Sequence, residues 1–229
     1  MKKILLIALS ALLLAGLGYS AYHYTKRPYI FVPYESSTLA DKKSALDQKT
    51  LQEVEKRIQE IQKIIATFDE KTPLKDKNST YFILSSEQQS IGRLLDAKKT
   101  LETTLKMSVK PNMLQAYALL LYSMGAKEPA MKYIDDALDL SPEVPDYWRS
   151  KIEMVKEMQP NNTTYLHLLY QEALSATHEN INIITVYAQF LSDIGKREEA
   201  IQYWEKAIKK VPEEKDIYQQ QIDVLKKQL

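Results

Sequence analysis

Residues 111–144, PNMLQAYALLLYSMGAKEPAMKYIDDALDLSPEV, decide the fold once they are written above residues 181–214, INIITVYAQFLSDIGKREEAIQYWEKAIKKVPEE. In one frame Leu114 pairs with Ile184, Tyr117 with Tyr187, Ala118 with Ala188 and Leu121 with Leu191. Further along, Gly125 pairs with Gly195, Ala130 with Ala200, Ile134 with Trp204, Ala137 with Ala207 and Pro142 with Pro212. The two glycines lie 70 residues apart (195 minus 125), which accommodates one unit of 34 residues and one of 36.

Each match has a physical reason. Small side chains at Ala118 and Ala130 let two helices of one hairpin approach closely. Gly125 stands where the turn between them needs a permissive backbone. Ile134 and Ala137 pack against the next hairpin. Pro142 ends the second helix, because proline cannot continue the hydrogen-bond ladder. The pattern resembles the tetratricopeptide repeat, a helical hairpin with a period of 34 residues. The resemblance covers 111–214, as units 111–144, 145–180 and 181–214. The middle unit departs from it: Trp148, Leu166, Tyr170 and Ala173 fit, but the turn at Gln159, Pro160, Asn161 and Asn162 lacks glycine and absorbs two extra residues. His178 stands where proline is usual.

Composition agrees. The chain has 229 residues, of which 45% are hydrophobic and 27% charged, and only 5 are glycine. Folds built on glycine-rich phosphate loops, hairpins or nucleophile elbows cannot be made from that stock. The absence of cysteine excludes disulfide scaffolds and thiolate chemistry. Thirty-one basic against 30 acidic residues leave a net charge of +1, so no electrostatic footprint for nucleic acid exists.

The chain opens Met1, Lys2, Lys3 and then runs uncharged from Ile4 to Tyr24. A helix over that run spans roughly 31 Å, about the hydrocarbon thickness of a bilayer. Segment 1–27 therefore reads as a signal anchor or a signal peptide. The tyrosines at 19, 22, 24, 29 and 34 favour retention, since such rings prefer the headgroup zone. Either way the remainder is exported, so the expected location is a cell membrane, single-pass, with the C-terminal domain extracytoplasmic. The Met-Lys-Lys start points to a bacterial host. Pro28 and Pro33 make 28–37 an extended linker.

Apolar residues at Leu51, Val54, Ile58, Ile61, Ile65 and Phe68 repeat every seven residues. They predict an amphipathic stalk helix over 38–70, which either packs on the following domain or forms a homo-oligomeric coiled coil through 51–68. Residues 71–80 read as a loop. The remainder of 71–110 reads in two ways. Tyr81, Leu84, Gly92, Ala97 and Leu101 fit a degenerate repeat, whereas Ser85 with Gln88 reads as a capping box opening one uninterrupted helix. At the other end, Ile217, Ile222 and Leu225 make 215–229 a capping helix. The expected fold class is all-α: a transmembrane or signal helix, a stalk, then an α-solenoid of about three hairpins with a cap.

No chemistry stands out. The doublets Asp135–Asp136, Glu198–Glu199 and Glu213–Glu214 point about 100° apart on helix surfaces and do not converge. His167, in an apolar run, has no nucleophile or metal partner placed with it. No catalytic residue, metal or cofactor is assigned, and the chain is not read as an enzyme. The resemblance implies instead a concave wall formed by the first helices, with Gln115, Leu119, Tyr122, Arg149, Glu153, Lys156 and Gln189 facing a protein or peptide partner. Chaperone-binding members of that family hold a terminal carboxylate with a Lys/Asn clamp. Leu119, Glu153 and Gln189 stand where its asparagine would be, so that mode is not expected. The function expected is a membrane-anchored scaffold or adaptor in assembly of an envelope complex. The alternatives are an apoprotein-binding factor of cytochrome c maturation, suggested by Ala200, Ile201 and Trp204, or a structural subunit of a pilus or secretion machine.

Overall fold

Three polar seams, the first of them buried, and a ladder of buried alanines organise the chain. A computed structural model describes residues 29–229, and Pro33–Leu229 forms one unit. Among the described residues there are ten α-helices and no strand. The helices are α1 (Gln48–Ala66), α2 (Leu74–Ser90), α3 (Leu94–Met107), α4 (Pro111–Ser123), α5 (Lys127–Leu140), α6 (Pro145–Met158), α7 (Thr163–Ala176), α8 (Ile181–Asp193), α9 (Arg197–Lys210) and α10 (Lys215–Lys226). The expected anchor, 1–27, lies outside the described residues; no described helix is long and apolar enough to cross a membrane.

Helices α2 to α9 form four successive hairpins. The second helix of each, α3, α5, α7 and α9, has 14 residues. Ala97, Ala118, Ala130, Ala137, Ala173, Ala188, Ala200 and Ala207 are fully buried, which allows the close helix approach expected of them. In the middle hairpin one extra residue lengthens α6 to 14 and another lengthens the turn. Asn162 replaces the missing glycine by capping α7, accepting from the Tyr165 N–H at 3.2 Å. Where proline was absent, His178 and Glu179 take left-handed conformations at φ 52° and 55° to close the chain toward α8.

The region before Pro111 departs from expectation in three ways. The stalk helix begins at Gln48, not near Thr38, because Asp47 caps it by accepting from the Lys49 and Thr50 N–H groups at 3.0 Å. The Thr50 hydroxyl on the same carboxylate holds the Asp47 pKa below its usual value. Residues upstream are committed elsewhere, as an extended strap. The Tyr34 N–H donates to the Tyr117 hydroxyl (3.1 Å), the Lys42 N–H to the Gly92 carbonyl (2.9 Å), and Asp41 caps α3 by accepting from the Leu95 N–H (2.8 Å). Second, the loop expected over 71–80 is helical from Leu74, since Pro73 presets the first turn and the polar residues that follow mostly face water. Third, Ser85 and Gln88 are not a capping box. Both are buried inside α2, and Gln88 accepts from the Thr100 hydroxyl at 2.8 Å. The chain breaks instead at Gly92, at φ +80°, so 74–107 is a hairpin like those that follow it.

The heptad seam of α1 is spent within the chain. Val54 and Ile58 pack with Leu84 and Ile91, flanked by Leu51, Ile61 and Ile65, and the Phe68 ring meets Tyr81 edge-on at 6.3 Å. Arg57 adds a two-pronged pair to Glu87. A homo-oligomeric coiled coil through 51–68 would need this same face, so the packing reading replaces it. In the cap, Ile222 and Leu225 are buried as expected, and Tyr218 takes the place expected of Ile217. Tyr218, Ile222 and Leu225 point inward and Ile217 outward, because Tyr218 stacks on Trp204 (5.8 Å between centroids).

At each seam, position 7 of a first helix meets position 5 or 9 of the preceding second helix. Between α3 and α4, Lys98 pairs with Glu102 at 2.5 Å and the Tyr117 hydroxyl donates to Glu102 at 2.7 Å. Between α5 and α6, Lys151 pairs with Asp135 at 2.8 Å. Between α7 and α8, the Tyr187 hydroxyl lies 2.7 Å from His167 Nδ1, and Gln171 bonds His167 Nε2 at 3.1 Å. Burial and the Glu102 carboxylate push the Tyr117 hydroxyl pKa far upward, so this phenol stays a donor.

Two measurements check these assignments. Gly92→Ala puts a methyl group 2.0 Å from the Lys42 carbonyl, whereas at Gly195 nothing lies within 4 Å. Gly195→Ala is expected to cost only the left-handed strain of about 1–2 kcal/mol, and Gly92→Ala distinctly more, read as thermal midpoints. Lys98→Met leaves Glu102 buried without its cation, at about 3–5 kcal/mol, and Lys98→Met with Glu102→Leu restores most of that loss.

Candidate binding groove

The first helices α4 and α6 run side by side, and between them lies an open groove of about 760 Å³. Gln115, Leu119 and Tyr122 line it from α4; Asp146, Arg149, Ser150, Glu153, Met154, Lys156 and Glu157 line it from α6. Six of the seven residues selected from the repeat frame are thereby brought together. Gln189 is not among the lining residues: it sits on α8 and donates to Asp193 on the same helix at 2.7 Å. Asp146 and Glu157 fall on the same inner wall in the repeat frame, whereas Ser150 and Met154 do not. Met154 is a core residue whose edge forms groove floor, and no hydropathy signal separates that role from simple burial.

Gln115 fixes the width of the groove. Its amide donates to the Asp146 carbonyl (3.1 Å) and the Ser150 hydroxyl (2.9 Å), bridging the two helices. At the far end Lys127 pairs with Glu157 at 2.9 Å and lies 5.3 Å from the centre of the Tyr122 ring. That cation lowers the Glu157 pKa, while burial and Glu157 raise that of Tyr122. Along the wall, Arg149 pairs with Asp146 (3.6 Å) and Lys156 with Glu153 (3.5 Å). The charged stripe is thus internally compensated. These pairs are exposed and individually weak, so they can be exchanged for others at small cost. Beside them Leu119 is 46% exposed, a large apolar side chain left open to water.

Other chemistry does not converge. Among the described residues no group of three or more His, Cys, Asp or Glu side chains could hold a metal ion. His167 serves the α7–α8 seam. Trp204 of the Ala-Ile-x-x-Trp run is buried against Tyr218, which accounts for it as packing.

Residues 111–144 match the tetratricopeptide repeat family. The match covers that one hairpin, and the hairpins on either side of it share its helical arrangement. No curated protein matches it in sequence. Solved structures do. A crystal structure of MamA is 17% identical at a TM-score of 0.52, covering 74% of this chain and 97% of that one. A tetratricopeptide repeat protein from Parabacteroides merdae is 15% identical (TM-score 0.52; 77% and 72% covered). BtubC from P. vanneervenii is 10% identical (TM-score 0.58; 84% of each). At these identities the likeness is one of fold.

Gln115→Ala removes both bridging bonds. It is expected to destabilise by about 1 kcal/mol, a drop of about 2–4 °C in the thermal midpoint. Gln189→Ala should stay within about 0.5 kcal/mol.

Proposed function

We propose that the chain is a membrane-anchored scaffold on the extracytoplasmic side that docks a protein segment in the α4–α6 groove during assembly of an envelope complex. The observation that carries this reading is the convergence of Gln115, Leu119, Tyr122, Arg149, Glu153 and Lys156 on one open groove. Exposed Leu119 beside the Tyr122 ring supplies an apolar anchor, the kind of contact that dominates docking energy. The compensated stripe on α6 supplies register: an incoming segment carrying both signs exchanges partners with Arg149, Glu153 and Lys156 and adds specificity more than affinity. The anchoring part of the proposal rests on the uncharged run Ile4–Tyr24, behind two lysines and followed by tyrosines.

The test is a crosslinked pull-down from native membranes, identified by mass spectrometry. The wild type is compared with Leu119→Asp and with the double change Arg149→Glu, Lys156→Glu. Leu119→Asp is expected to reduce the dominant catch about tenfold or more, and the double change to weaken it in a salt-dependent way. An unchanged catch in both variants would refute docking in this groove. Recovery of the chain in soluble rather than membrane fractions would refute the anchor separately.

A further inference from the structure

Helix α1 spends one face on α2 and turns the opposite face to water. At about 100° per residue, Val54, Ile58, Ile61 and Ile65 share the packed side, and Lys49, Glu53, Lys56, Glu60 and Lys63 fall on the far side, all exposed. The other two charges of the helix are engaged toward the fold, Glu55 with Arg93 at 3.0 Å and Arg57 with Glu87 at 2.9 Å. The outer charges alternate in sign, and Glu53, Lys56, Glu60 and Lys63 follow one another at steps of three, four and three residues. The groove wall of α6 repeats that arrangement: Asp146, Arg149, Glu153 and Lys156 have the same signs, in the same order, at the same steps. The remaining charges of α6 are committed to neighbours, Lys151 to Asp135 at 2.8 Å and Glu157 to Lys127 at 2.9 Å. The other wall, α4, has no charged residue.

We propose that the α4–α6 groove receives α1 of a second copy of this chain, antiparallel to α6, an occupant that rests on the groove being a docking site. Two helices with one sign order complement each other, step for step, when they run in opposite directions. Lys63 then meets Asp146, Glu60 meets Arg149, Lys56 meets Glu153 and Glu53 meets Lys156, with Lys49 falling toward Glu157. Parallel pairing of the same residues sets like against like. Sliding a parallel helix until the signs oppose sets steps of four, three and four against three, four and three. An extended segment does not fit the steps either. The four α6 charges rise by about 4.5, 6 and 4.5 Å along the helix, whereas side chains on one face of a strand recur about every 6.8 Å. The pairs exchanged on docking, Lys56 with Glu60, Arg149 with Asp146 and Lys156 with Glu153, are exposed and individually weak. Within one copy α1 is fixed on α2 by its apolar face, so the helix that enters the groove comes from a neighbour. The two surfaces differ, which makes the contact head-to-tail and adds copy to copy.

The full chain is co-expressed with two different tags, and co-capture of one tagged copy with the other is measured from native membranes. Three variants are compared with the wild type: Lys56→Glu with Glu60→Lys on α1, Arg149→Glu with Glu153→Lys on α6, and all four changes together. Each swap keeps the net charge and an acid–base pair four residues apart on its own helix. Helical circular dichroism with the thermal midpoint verifies that each variant folds. Either two-residue swap is expected to cut co-capture about tenfold or more, and the four changes together to restore it to within about threefold of the wild type. Co-capture that is absent in the wild type, indifferent to either swap, or not restored by the four changes would overturn the second-copy occupant. If Leu119→Asp still releases a foreign protein in that case, docking in the groove stands without this occupant. If Leu119→Asp releases nothing, both readings fall.

Discussion

Polar side chains at the seams between hairpins set how one hairpin stacks on the next. A repeat whose interfaces held only Leu and Ala would tolerate sliding, because dispersion contacts have little directionality. Here each seam carries directional polar contacts, and Lys98 and Glu102, which leave water altogether, must be bonded. Lys98 with Glu102 and Tyr117, Asp135 with Lys151, and His167 with Gln171 and Tyr187 recur at corresponding positions, the middle seam using two of the three. A one-residue slip would leave them unpaired, so the register of the stack is decided by a few bonds.

The groove follows from that register. With α4 and α6 held side by side by the Gln115 bridge, positions from two helices separated by a third come to line one surface. The charges of the wall are compensated, Arg149 facing Asp146, Lys156 facing Glu153 and Lys127 facing Glu157. Apolar Leu119 and the Tyr122 edge are therefore what distinguishes the groove from an ordinary solvated helix face.

The strap has a comparable effect at the other end. Residues 34–42 are extended because their N–H groups and the Asp41 carboxylate find partners on α3, on α4 and at the Gly92 turn. The sequence reading makes 34–37 part of an extended linker, as found, and places only 38–42 in the stalk helix. Gly92 is the point where both demands meet, a left-handed turn and a backbone passing within contact distance. That is why the glycine marks a hairpin that the surrounding sequence, with buried Ser85 and Gln88, disguises.

The sequence by itself determined the hairpins at 111–140 and 181–210, since alanine, glycine and proline there act through local sterics that no neighbour can override. It also determined which face of α4 and α6 would look outward, because helical periodicity is local. Only the tertiary structure decided the partner of the α1 seam, the outward turn of Ile217 and the exclusion of Gln189 from the groove. In each case a side chain of suitable character had two surfaces open to it. The choice depended on which distant helix arrived to cover one of them, a matter of long-range packing that periodicity does not encode.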